Sequence, residues 1–325
     1  MLGCQRPTRR GAPIVRVTAA TARIVTDDLR RFWAAYDAGG REGDTMAFQT
    51  RYLDSATAGL RDFQRARAVT AASLARMVTR DRAYFAALAP RLRRLTASDP
   101  IFAVVRANYA RIERLYPQAI FPPLTLLIGR FSTGGTTGAA GLLIGMEFYG
   151  RDAIADASAP LDELHAFART NQFSLARDFP ALVAHEHAHV LQYAAGARAG
   201  RRRATLLERA LIEGGADFVG ELASGRASYA DRYVVWQARE AEYWEAFQRA
   251  MAGHDIRRWL YNQGDATPEW PGDLGYFMGY RIAQAFYAHA ADKTAALRAL
   301  IAQRDPALLL RRSGYDGHGP AITSP

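Results

Sequence analysis

Residues 178–194 read Asp-Phe-Pro-Ala-Leu-Val-Ala-His-Glu-His-Ala-His-Val-Leu-Gln-Tyr-Ala, and the reading of the whole chain turns on them. Asp178 is placed to cap a helix, and His185-Glu186-His187-Ala188-His189 is a complete His-Glu-x-x-His. On a helix, residues four apart share one face with Cβ atoms about 6 Å apart. His185 and His189 therefore match two corners of a zinc tetrahedron with Zn–N bonds of about 2.0–2.1 Å. Glu186 lies next to that position, where a carboxylate can take a proton from metal-bound water. Phe179, Leu182, Val183, Val190 and Tyr193 surround these residues. Ionisable groups in such apolar company are costly unless paired or ligating.

A third ligand is the test of a metal site, and the next segment supplies a candidate. Thr205-Leu206-Leu207-Glu208 reads as a capping box opening a helix over 205–224, which Gly225 closes. Inside it, Glu213-Gly214-Gly215-Ala216-Asp217 places Glu213 and Asp217 one turn apart on one face. Two helices and a turn can return Glu213 to the metal, and Asp217 can accept a hydrogen bond from the other nitrogen of His185 or His189. Gly214 and Gly215 cost roughly 1 kcal/mol each in helix propensity, a cost that close approach of another backbone would explain. The competing reading is a polar helix face with Glu213 as a solvated carboxylate.

Together, Ala184-His185-Glu186-His187-Ala188-His189 and Ile212-Glu213-Gly214-Gly215-Ala216-Asp217-Phe218 resemble the gluzincin metallopeptidases, with His-Glu-x-x-His and a downstream Glu-x-x-x-Asp. More narrowly, the chain is similar to a bacterial family of predicted zinc-dependent proteases related to gliding-motility lipoproteins. The similarity extends to Trp259-Leu260-Tyr261, to Asp273-Leu274-Gly275-Tyr276-Phe277-Met278-Gly279-Tyr280 and to Ser313-Gly314-Tyr315, and covers most of the chain after Ile24. It implies zinc (Zn2+) held by His185, His189 and Glu213, with Asp217 behind a histidine. It further implies hydrolysis of a peptide or protein substrate by a zinc-bound water, with Glu186 as general base.

Such a reaction needs an oxyanion donor. Tyr276 and Tyr280, one turn apart, are the first candidates and Arg281 a weaker one, with core packing the competing reading for both tyrosines. His187 points away from the ligand face and reads as structural. His165, His254, His289 and His318 show no ligand spacing. The alternative function is a non-catalytic envelope lipoprotein or interaction protein that retains the fold.

Working outward, residues 1–23 read as a flexible leader, 24–120 as a helical N-terminal part and 121–325 as the zincin-like catalytic part. In the N-terminal part, Thr26 caps a helix that Gly39 and Gly40 stop, and amphipathic stretches follow over 60–67, 71–95 and 98–115. Leu124 to Ile128 and Leu142 to Phe148 read as strands joined by the Gly/Thr-rich loop 132–138. The second of them is the candidate edge strand for an extended substrate, and Glu147 reads as a polar strand residue. Arg201, Arg202 and Arg203 read as a solvated loop, with selection of acidic substrates or contact with anionic lipid as alternatives. The fold class expected is mainly α (α+β), a zincin-like body with a small sheet.

The net charge of +10 invites a nucleic-acid reading. The excess, however, is +11 over residues 1–120 and −1 over the remainder, so the half bearing the motifs is nearly neutral and no nucleic-acid partner is expected. The single cysteine, Cys4, excludes an internal disulfide framework and a thiolate cluster. Met1-Leu2-Gly3-Cys4 resembles the end of a bacterial lipoprotein signal, although its apolar region is missing. Either the start is placed late and Cys4 is lipidated, which anchors the protein in the cell envelope, or the match is accidental and the protein is cytoplasmic.

Overall fold

Asp27 and Asp28 occupy the first turn of helix α1 (Asp27–Asp37) in the computed structural model, which describes residues 17–152, 173–197 and 203–322. Cys4, His165, Arg201 and Arg202 lie outside the described residues. The apolar spacing along α1 buries Leu29, Phe32, Trp33 and Tyr36, and the chain turns away at Gly39, whose φ of +117° suits glycine. Helix α2 (Ala58–Arg67) is capped by the Thr57 hydroxyl, which accepts from the Leu60 N–H at 3.3 Å. The stretch 71–95 divides at Asp81 into α3 (Ala71–Arg80) and α4 (Arg82–Leu92). Helix α5 (Ile101–Leu115) begins after Pro100, with the Asp99 carboxylate accepting from the Ile101 N–H at 3.0 Å.

Four strands form one mixed sheet in the order β1-β2-β4-β3. β1 (Ile24–Val25) and β4 (Gly141–Gly145) flank β2 (Leu124–Leu127) and run parallel to it. β3 (Gly135–Gly138) pairs antiparallel with β4, opposing Gly135 to Ile144 and Thr137 to Leu142. This corrects two expectations. The Gly/Thr-rich segment is itself a strand, and it is β3, not the strand beginning at Leu142, that lies at an edge of the sheet. β4 has a neighbour on each side, so its backbone groups are used within the sheet. Glu147 lies beyond its end, in a short 3-10 turn, where its buried carboxylate accepts the N–H groups of Gly129 (3.0 Å) and Phe131 (3.1 Å).

After α5 the helices among the described residues are α6 (Phe179–Ala194), α7 (Leu206–Ser224), α8 (Ala230–Trp236), α9 (Glu240–Ala250), α10 (Leu274–His289), α11 (Lys293–Ala302) and α12 (Pro306–Ser313). One apolar core joins the N-terminal helices, the sheet and α6, with Phe32, Phe63, Phe85, Leu126, Ile144 and Val183 among its members. A second core lies among α7, α9 and α10, around Leu211, Phe247, Phe277 and Ile282. α7 contributes to both, which accounts for a helix apolar on nearly every side. No helix among the described residues is long and apolar enough to cross a membrane.

Candidate metal centre

α7 is defined at both ends by its own residues. The Thr205 hydroxyl accepts from the Glu208 N–H (3.2 Å), the Glu208 carboxylate accepts from the Thr205 N–H (2.6 Å), and Gly225 closes the helix at φ +83°. Its first glycine carries the close packing expected. A Cβ on Gly214 would lie 2.1 Å from the Tyr280 backbone nitrogen, so α7 meets α10 backbone to backbone. Gly220 approaches α6, where a Cβ would stand 3.0 Å from the His185 nitrogen. These approaches set Glu213 opposite the two histidines.

The imidazoles of His185 and His189 meet with Nε2 atoms 3.0 Å apart, and Glu213 Oε2 lies 3.2 Å from His189 Nε2 and 3.8 Å from His185 Nε2. A tetrahedron with zinc–ligand bonds near 2.05 Å has edges of about 3.3 Å, and the three separations bracket that value. His185 is 4% exposed and Glu213 8%, so the cluster is withdrawn from solvent. It is a group of residues that could hold a metal ion.

The groups behind the cluster decide which nitrogens face inward. His185 Nδ1 lies 2.7 Å from Asp217 Oδ1, and Asp217 also accepts from the Tyr233 hydroxyl. Asp217 being a carboxylate acceptor, Nδ1 carries the proton and Nε2 the lone pair. His189 Nδ1 lies 2.8 Å from Gln192 Oε1. The Gln192 amide cannot be reversed, because its Nε2 donates to the Ile212 carbonyl at 2.9 Å. His189 therefore also turns its Nε2 lone pair inward. The Tyr261 hydroxyl donates to Glu213 Oε1, leaving Oε2 for the centre.

The three donor atoms turned inward favour positive charge between them, which a proton on His189 supplies when no metal is bound. Burial opposes a charge on Glu213, yet His189, His185 and the Tyr261 hydroxyl hold its carboxyl well below the usual range. Burial likewise opposes an imidazolium at His189, but Glu213 outweighs it and the group sits well above its ordinary value. Glu186 is raised by burial against the opposing pull of His185 and His189. It projects onto β3, where a Cβ at Gly135 would be 2.5 Å from Glu186 Oε1.

The centre opens into a cleft of about 660 Å³, bounded by residues 132–137, Arg67, Phe173, Tyr229, Arg232, Tyr261 and Tyr276. The Tyr276 ring lies along that of His185, centroids 6.2 Å apart at 26°, and its hydroxyl makes no hydrogen bond among the described residues. Tyr280 is elsewhere: its hydroxyl donates to Glu221 Oε2 at 2.7 Å, and it is not among the residues bounding the cleft. Arg281 is buried in a pair with Glu240, 2.7 Å from Nε to Oε1. His187 donates to the Ile120 carbonyl (2.7 Å), and burial lowers its pKa to about 4. His254 and His289 bind the backbone carbonyls of Ala204 and Ser313.

Gln192, Tyr233 and Tyr261 were not read as site residues from the sequence. Gln192 carried a signal, since it follows His189 by three positions on one helix face. Tyr261 lies in the Trp259-Leu260-Tyr261 stretch of the family resemblance, which gave it no role, and Tyr233 carried no signal beyond its type.

Residues 154–304 match the model of a family described as a predicted Zn-dependent protease (DUF2268), a span that includes His185, His189, Glu213, Tyr261 and Tyr276. No curated protein and no solved structure matches the chain.

Proposed function

We propose that the chain is a zinc-dependent metallopeptidase whose zinc is held by His185, His189 and Glu213. The observation that carries this reading is the set of three lone pairs turned to one point by Asp217, Gln192 and Tyr261. Without a metal, the Glu213 charge is balanced by a proton that His189 holds more tightly than a free imidazole does; a metal dication takes that proton's place and meets all three donor atoms at once. Zinc bound there supplies a Lewis acid that acidifies water and polarises a carbonyl.

The protein's own residues account for the rest of the reaction. Glu186 faces the cleft beside the ligands and takes the proton from the attacking water, then passes it to the leaving amine. The unengaged Tyr276 hydroxyl donates to the carbonyl oxygen as negative charge develops there. The exposed edge of β3 pairs with an extended peptide and holds it along the cleft.

Purified protein is expected to contain about one zinc per chain. A chelator should abolish cleavage of a peptide library, and zinc should restore it. Glu186→Gln should keep the metal and lose cleavage. A wild-type protein that takes up no metal would sink this reading, and one that binds zinc without turnover would favour a non-catalytic role.

A further inference from the structure

We propose that Arg67 forms a carboxylate-binding subsite of the cleft, selecting peptides that present a carboxylate beside the scissile bond; the inference rests on the peptidase reading above. Arg67 is the last residue of α2 and reaches the β3 edge, where its Nη2 lies 3.2 Å from Thr136 Oγ1. A guanidinium has five N–H donors. Thr136 takes one, and Nε is buried with no partner. Among the described residues no carboxylate oxygen lies within 4.0 Å of the Arg67 guanidinium, whereas Arg65 on the same helix is paired with Asp62. The Arg67 charge reaches Glu186 electrostatically but makes no ion pair with it. On the far wall, Arg232 stacks over the Tyr229 ring at 5.0 Å. Arg67 is thus a cation held at the mouth of the centre with donors to spare.

Strand alternation says what would use those donors. Successive residues of a strand point to opposite faces. Gly135 faces Glu186 and α6, and the next residue, Thr136, turns its side chain to Arg67. A peptide added along β3 continues this alternation. A side chain on its α6 face lies at the metal ligands, and its immediate neighbour lies over Arg67. A planar carboxylate there accepts parallel N–H bonds that a neutral amide cannot reproduce. The carboxylate can belong to an Asp or Glu side chain or to the peptide's C-terminus.

Two arms of one experiment separate these sources. Zinc-loaded Glu186→Gln protein is titrated with fluorescent peptides that carry Glu or Gln at each position in turn, once with amidated and once with free C-termini. Anisotropy reads binding without turnover. Roughly tenfold tighter binding is expected for Glu over Gln at one internal position, or for free acid over amide. Arg67→Gln should abolish the difference, and Arg67→Glu should replace it by a preference for Lys. Equal affinities with Arg67 intact, or a preference that survives Arg67→Gln, would overturn the subsite while leaving the peptidase reading in place if wild-type protein still cleaves the peptides. Failure of zinc-loaded wild type to cleave any of them would overturn both.

Discussion

A Cβ on Gly279 would lie 1.7 Å from the carbonyl oxygen of Ala210. Both partners of that contact are backbone, on α10 and α7, so neither can swing aside as a side chain would. The crossing holds the helix that carries Glu213 at a fixed depth beside α6. Gly279→Ala should therefore destabilise the fold by roughly 3 kcal/mol or more, through forced separation of two packed helices. Gly264→Ala, where nothing lies within 4 Å, is the control and should change little. Urea denaturation compares them, and equal midpoints would contradict the backbone contact.

Asp217 and Gln192 aim the two histidines, so their loss should weaken metal binding rather than abolish it. Asp217→Asn and Gln192→Leu are each expected to reduce zinc affinity by about 10- to 100-fold. Competition with a chromophoric chelator measures this. Wild-type affinity in both variants would mean that the ligands need no orientation from behind.

Tyr276 and Tyr280 should separate cleanly. Tyr276→Phe removes the unengaged hydroxyl and is expected to lower kcat by roughly 10²- to 10³-fold with zinc content unchanged. Tyr280→Phe removes the donor to the half-buried Glu221 carboxylate, so its effect should appear in stability, about 1 kcal/mol, with little change in turnover. Steady-state kinetics beside thermal unfolding tests the pair, and the reverse pattern would refute the assignment.

Burial raises the Glu147 carboxyl from 4.5 to about 7, against the lowering effect of the Gly129 and Phe131 N–H groups. The folded state thus holds this proton more tightly than the unfolded chain. The contribution to stability is complete below pH 4.5 and is lost as pH rises through about 7, amounting to about 3 kcal/mol. His187, lowered to about 4, works in the opposite sense, stabilising above pH 6.5 and ceasing to do so as pH falls through about 4. Relative to wild type, Glu147→Gln should gain stability steadily between pH 4.5 and 7. A difference that stays constant across that window would show that Glu147 does not titrate there.

Much of the site was legible because its signals are local. The four-residue spacing of His185 and His189, the Thr205/Glu208 box, the Gly225 stop and the pairing of Glu213 with Asp217 each depend on contacts within a turn or at a helix end. The edge strand was not legible, because residues 132–138 look like turn chemistry until β4 offers them a partner. Glu147 misled for a related reason: its carboxylate is used by N–H groups 16 and 18 residues away, at Phe131 and Gly129.

By itself the sequence determined the helical class, the bounds of α6 and α7, and which residues of each share a face, since helix periodicity and capping are written in neighbouring residues. Only the tertiary structure decided that Tyr261, 48 residues beyond Glu213, would take one of its oxygens, and that Tyr276 rather than Tyr280 would face the cleft. Those outcomes depend on how α7 and α10 cross. Helix periodicity places two residues on one face, but only the packed partner determines which of them looks onto open space and which is enclosed.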